Sequence, residues 1–168
     1  MTPVKEDVYD YDFSIDVPVR NDWTNVSRLV TSVQNCFNAM FDDLAGSRTV
    51  AMVTAELLEN ALKYGGGSKK DRLRLRVEGT ADVARITMAN PAPPESFADL
   101  QKCLDWMNGF PDVEAAFRAR LLAIATATGA EESRLGIVRI AYEGRCKLKA
   151  HYEDGIVSVC AELQPQQA

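Results

Sequence analysis

The chain has 168 residues, 46% of them hydrophobic and 26% charged, with a formal net charge of −5. That length suffices for one domain with a sizeable core, and the acidic balance argues against nucleic acid as the main partner. No apolar run approaches the roughly 20 residues that span a bilayer, and residues 1–10 lack the apolar core of a signal peptide.

Residues 8–19 alternate as a strand that places Tyr11, Phe13, Ile15 and Val17 on one face. Pro18 closes it or marks an edge. A long helix follows, capped by Asn21, Asp22 or Thr24 and running to about Leu44. Val26, Leu29, Val30, Val33, Phe37, Met40, Phe41 and Leu44 form its core stripe. Ala45-Gly46-Ser47 reads as a turn. A second helix then opens near Ser47 or Thr49, with Val50, Val53, Leu57, Leu58, Ala61 and Leu62 as its apolar stripe. Gly65-Gly66-Gly67 stops it in a left-handed C-terminal conformation.

The polar side of that helix carries chemistry. Glu56, Asn60 and Lys63 stand at intervals of four and three, so they project together. A carboxylate polarises a hydroxyl, an amide oxygen ligates Mg²⁺, and a lysine meets phosphate charge. The competing explanation is the ordinary wet side of a helix, with Glu59 and Lys63 as an i,i+4 ion pair.

Residues 72–78 alternate strictly, with Leu73, Leu75 and Val77 inward and Arg72, Arg74 and Arg76 outward. The arginines are either a solvated sheet face that discourages edge aggregation or a docking surface for an acidic partner. The first is favoured, because half-exposed antiparallel sheets commonly read this way. Residues 83–89 supply an antiparallel partner strand. Asn90-Pro-Ala-Pro-Pro94 then forbids helix or central strand and holds the backbone extended. Helices follow over 95–108, aligned on Phe97, Leu100, Leu104 and Met107, and from Val113, capped by Asp112, to about Thr128. Ser133 caps a further helix with body 134–143 and stop Gly144. Strands 146–152 and 156–163, joined by Asp154-Gly155, finish the chain as a hairpin, and Gln164–Ala168 is a polar tail. Cys36, Cys103, Cys146 and Cys160 form no CxxC pair and read as reduced thiols of a cytoplasmic protein. His151 is the only histidine, too few for the usual zinc sites.

The stretch Glu56-xxx-Asn60-Ala61-x-Lys63-Tyr64 resembles the N-box of the GHKL, or histidine kinase-like, ATP-binding superfamily. The element order is similar to its Bergerat fold, closest in layout to the anti-sigma-factor serine kinases. Ser133-Arg-Leu-Gly136-Ile-Val-Arg-Ile resembles the second Gly-rich box, where glycine lets helix-start N–H groups approach phosphates. The resemblance implies one α/β domain over 1–168, a two-layer sandwich with a mixed, mostly antiparallel sheet and helices on one face. It implies that Glu56 is the general base, Asn60 the Mg²⁺ ligand, and Lys63, Asn90, Arg134 and Gly136 contacts to Mg-ATP. It further implies phosphoryl transfer to a small regulatory partner, such as an anti-anti-sigma protein, and leaves homodimerisation open. The chain departs from the pattern at the first Gly-rich box. There Asn90-Pro91-Ala92-Pro93-Pro94 replaces Asp-x-Gly-x-Gly, and helices over 95–128 replace the ATP lid. The alternative reading is therefore a non-catalytic interaction module on the same fold.

Overall fold

The computed structural model describes residues 10–18, 23–41, 44–66, 71–80, 82–126 and 134–164. Their elements run β1 (Tyr11–Pro18), α1 (Trp23–Phe41), α2 (Leu44–Tyr64), β2 (Arg72–Gly79), β3 (Ala84–Pro91), α3 (Pro94–Asn108), α4 (Val113–Thr126), α5 (Leu135–Glu143), β4 (Lys147–Glu153) and β5 (Ile156–Leu163). One sheet takes the order β1-β2-β3-β5-β4. Every described pair in it is antiparallel, in line with the mostly antiparallel sheet expected. The chain passes from β3 through three helices to the edge strand β4, and the hairpin then returns β5 beside β3 in the opposite sense.

Alternation along the strands produces the layering. Leu73, Leu75, Val77, Ile86, Met88, Val157 and Val159 are buried, and Leu148 packs partly buried against them. The helices cover this face with Val50, Val53, Leu57, Leu58, Ile137 and Ile140, which excludes apolar surface from water at about 25 cal/mol per Å². The opposite face stays wet. Its arginines meet β1 across the ladder: Arg72 Nε lies 2.6 Å from Asp16 Oδ1, and Arg76 Nη2 2.7 Å from Asp12 Oδ2. These hydrogen bonds hold both aspartates below the usual carboxylate range. The arginines thus lie on the solvated face of the sheet, paired with β1 aspartates.

Several local features differ from expectation. Helix α1 ends at Phe41 and α2 begins at Leu44, so Ala45-Gly46-Ser47 lies inside α2. Ser47 is fully buried there; its small neighbours let the first turn pack closely, and packing overrides turn propensity. Gly65 ends α2 without a positive φ. What it supplies is space: a Cβ would lie 2.4 Å from the Ala61 carbonyl oxygen and 2.9 Å from Asn90 Nδ2. Strand β3 continues through Pro91, although β2 stops pairing at Ala89. Pro91 therefore removes no rung on that side, and its carbonyl accepts from Gly66 N at 2.9 Å. Finally, α5 begins at Leu135 with Arg134 as N-cap. The expected cap Ser133 lies outside the described residues, as do Asn21, Asp22, the Thr24 side chain, Gly129 and residues 165–168. Asp112 caps α4 as expected, accepting from Ala115 N at 2.7 Å. Asp154 and Gly155 take φ of 49° and 79°, the left-handed pair that a two-residue hairpin turn needs.

Candidate functional site

Helical spacing puts Glu56, Asn60 and Tyr64 on one side of α2. The start of α5 lies directly against them. A Cβ on Gly136 would sit 2.4 Å from Glu56 Oε2 and 3.2 Å from Asn60 Nδ2, so only a bare backbone fits without displacing the carboxylate. The expected convergence of Glu56, Asn60 and Gly136 is thus present in the fold.

Glu56 Oε1 accepts from Arg139 Nη1 at 2.9 Å, and Arg139 Nε donates to Glu143 Oε2 at 2.9 Å. With its side chain 15% exposed, Glu56 has its pKa raised by burial, partly countered by the Arg139 charge. A carboxylate so placed takes up a proton more readily than one in water. Asn60 Nδ2 donates to the Glu56 carbonyl at 2.7 Å, and among the described residues its Oδ1 carries no hydrogen bond. The free end is the hard oxygen donor that Mg²⁺ takes.

Beyond Asn60 the site narrows. Asn60, Tyr64, Asn90, Leu100, Arg134 and Val159 are among the residues lining a cavity of about 30 Å³. Asn90 is buried and donates its Nδ2 to the Pro91 carbonyl at 3.0 Å and the Ala61 carbonyl at 3.4 Å. Arg134 is one of its walls: its guanidinium carbon stacks 4.0 Å from the Tyr64 ring centroid, and its Nη2 donates to the Ser96 carbonyl at 3.2 Å. Lys63 is exposed, with Nζ 5.1 Å from the Tyr64 ring, and does not line the cavity.

The fit to Mg-ATP therefore differs at its two ends. Asn60 Oδ1 and the bare Gly136 backbone suit a metal and phosphates. A nucleoside does not enter this arrangement, because the cavity holds one water and ligand pockets span roughly 300–1,000 Å³. Arg139 and Ser96 were not anticipated from sequence. Arg139 follows Gly136 by three residues and so shares its face of α5, a legible signal; Ser96 contributes a backbone carbonyl, which leaves no signal.

No family model and no curated protein matches the chain. Among solved structures, a chain in the crystal structure of the SiaB-SiaC complex from Pseudomonas aeruginosa overlays with a TM-score of 0.65 at 16% identity, covering 90% of this chain and 88% of that one. The catalytic domain of histidine kinase ThkA overlays with a TM-score of 0.43 at 14% identity, covering 91% and 97%. The chain shares the fold of that SiaB-SiaC chain. The proline-bearing end of β3 leads directly into α3 and α4.

Proposed function

We propose that the chain is a signalling regulator acting on a small partner protein, with the Glu56–Asn60–Gly136 cluster as its Mg-ATP site. The observation that carries this reading is the direct approach of Gly136 to both N-box side chains. A carboxylate and an amide side chain held against a helix start, the amide oxygen free to accept a ligand, supply the groups that phosphate chemistry needs. Bound Mg-ATP would supply the phosphoryl group and leave as Mg-ADP; Asn60 Oδ1 would hold the metal, Glu56 would accept the proton of a partner serine or threonine hydroxyl, and Arg139 positions the Glu56 carboxylate. Arg134 and Lys63 neutralise phosphate charge once Arg134 leaves Ser96, and Asn90 accepts from the base. The likeness to a chain solved as part of a two-protein complex supports a partner protein, and the unpaired cysteines support a cytoplasmic setting.

A second reading is favoured by the 30 Å³ cavity and the rigid Asn90-Pro91 strand end: a non-catalytic interaction module on the same fold. Equilibrium binding of fluorescent ATP with and without Mg²⁺ separates the two. The kinase reading expects Mg-dependent binding by the wild type, its loss in Asn60→Ala, and its retention in Glu56→Gln. A wild type that binds no nucleotide at millimolar concentration eliminates the kinase and leaves the interaction module.

A further inference from the structure

Strand β4 is the last strand of the sheet, with β5 on its inner side. We infer that its outer edge pairs antiparallel with the same edge of a second copy of this chain. The two-fold axis passes through Ala150 and joins the two sheets into one. Homodimerisation, which the sequence leaves open, thereby gains a surface, and that surface is separate from the Asn60 cluster.

The backbone determines which groups face outward. On the inner side of β5 the Gly155 carbonyl accepts from Ala92 N at 3.0 Å. The alternation of an antiparallel ladder then turns the main-chain groups of Ile156, Ser158, Cys160 and Glu162 toward β4. Their partners there are Glu153, His151, Lys149 and Lys147. The two-residue turn at Asp154-Gly155 agrees, since it is closed by the pair Glu153 and Ile156. The N–H and C=O groups of Leu148, Ala150 and Tyr152 therefore point away from β5, at the edge. An edge of this kind is a template for another strand. Two copies pair when these residues meet: Ala150 with Ala150, and Leu148 with Tyr152 of the second copy.

The side chains fit the same register. Lys147, Lys149, His151 and Glu153 are exposed on the outer face of the sheet. Across the axis Lys147 stands opposite Glu153 of the second copy, and symmetry makes the contact twice. On the helix side Leu148 meets Tyr152, an apolar–aromatic cross-strand pair, backed by Phe97, which stacks on Tyr152 at 5.4 Å. Lys149 and His151 meet without attraction. A slip of two residues in either direction shortens the overlap and sets Lys149 or His151 opposite its own copy. Edge lysines ordinarily discourage pairing; here Lys147 finds a carboxylate in one register, so the charges select it. One strand pair buries less than a standard interface, so the dissociation constant is expected on the order of 10–100 µM.

Sedimentation equilibrium of the full chain tests this. The wild type is expected to pass from monomer to dimer over roughly 1–500 µM and to stop there. Lys147→Glu and Glu153→Lys, each alone, bring like charges together twice and should weaken self-association about tenfold, about 1.4 kcal/mol. Mixed in equal amounts, the two variants should form a heterodimer at about wild-type affinity, because each supplies the charge that the other lacks. Ala150→Pro removes an outward N–H and no rung with β5, and should abolish the dimer with an unchanged circular dichroism spectrum. If that variant melts early, the charge mixture decides. A wild type that stays monomeric at roughly 1 mM or assembles beyond the dimer overturns the inference. So does a mixture no tighter than either variant alone, or a dimer that survives Ala150→Pro. No nucleotide enters the experiment, so its outcome is independent of the Mg-ATP reading.

Discussion

A methyl group at position 136 would lie 2.4 Å from Glu56 Oε2, and that carboxylate is held from its other oxygen by Arg139. Alanine normally stabilises a helix by up to about 1 kcal/mol over glycine. Here the gain is opposed by displacement of a half-buried ion pair. Gly136→Ala is therefore expected to destabilise by about 1 kcal/mol, whereas in a Glu56→Ala background the same change should stabilise. Denaturant unfolding of the four proteins of this cycle measures both signs; destabilisation in both backgrounds would mean that the clash is not with Glu56. The cluster was legible because two residues four apart on a helix share a face whatever the tertiary structure, and because a glycine at a helix start stands out. The contacts of Arg120 and of the Ser96 carbonyl were not legible. Arg120 meets Trp106, and the Ser96 carbonyl meets Arg134, through the packing of α3, α4 and α5, and nothing in local spacing encodes either meeting.

Among the elements, Asp112 shows a local rule obeyed. Its Oδ1 accepts from Ala115 N at 2.7 Å, satisfying one of the orphan donors at the start of α4. Asp112→Ala should lower stability by about 1 kcal/mol, read as a shifted denaturation midpoint at unchanged slope. A loss well below 0.5 kcal/mol would mean that packing alone holds the first turn: Ala116 is fully buried and Phe117 stacks on Tyr142 at 4.6 Å. Local rules failed where tertiary contacts outweighed them. Ala45-Gly46-Ser47 carries turn composition yet begins α2, because small residues bury closely there. Proline in Asn90-Pro91 was expected to end β3 before residue 90, but the rung it would lose on the β2 side does not exist. Alternating strands and long amphipathic helices were readable because period and burial agree along them; the strand order was not, since it follows from where the final hairpin docks.

At the scale of the molecule the sheet and the closure of the site have different strengths. Strands β2, β3 and β5 are buried on the helix side and paired on both edges, so they belong to the most stable unit of the chain. Helix α3 is held more lightly around the cavity: Phe97 stacks on Tyr152 at 5.4 Å, Tyr152 Oη donates to the Ala92 carbonyl at 3.3 Å, and Ser96 accepts from Arg134 at 3.2 Å. A nucleoside needs about ten times the present 30 Å³, and the walls free to yield are α3 and Arg134 rather than the sheet. If the protein binds Mg-ATP, ligand binding therefore selects a state in which this contact is broken, and the apparent affinity is reduced by the rarity of that state. Hydrogen exchange with and without Mg-ATP tests this. Residues 94–100 are expected to change protection, with the first turn of α5 gaining it, while β3 and β5 remain unchanged. A bound nucleotide that leaves 94–100 at its free-state exchange rate would place the ligand outside this cavity and require another entry to the Asn60 cluster.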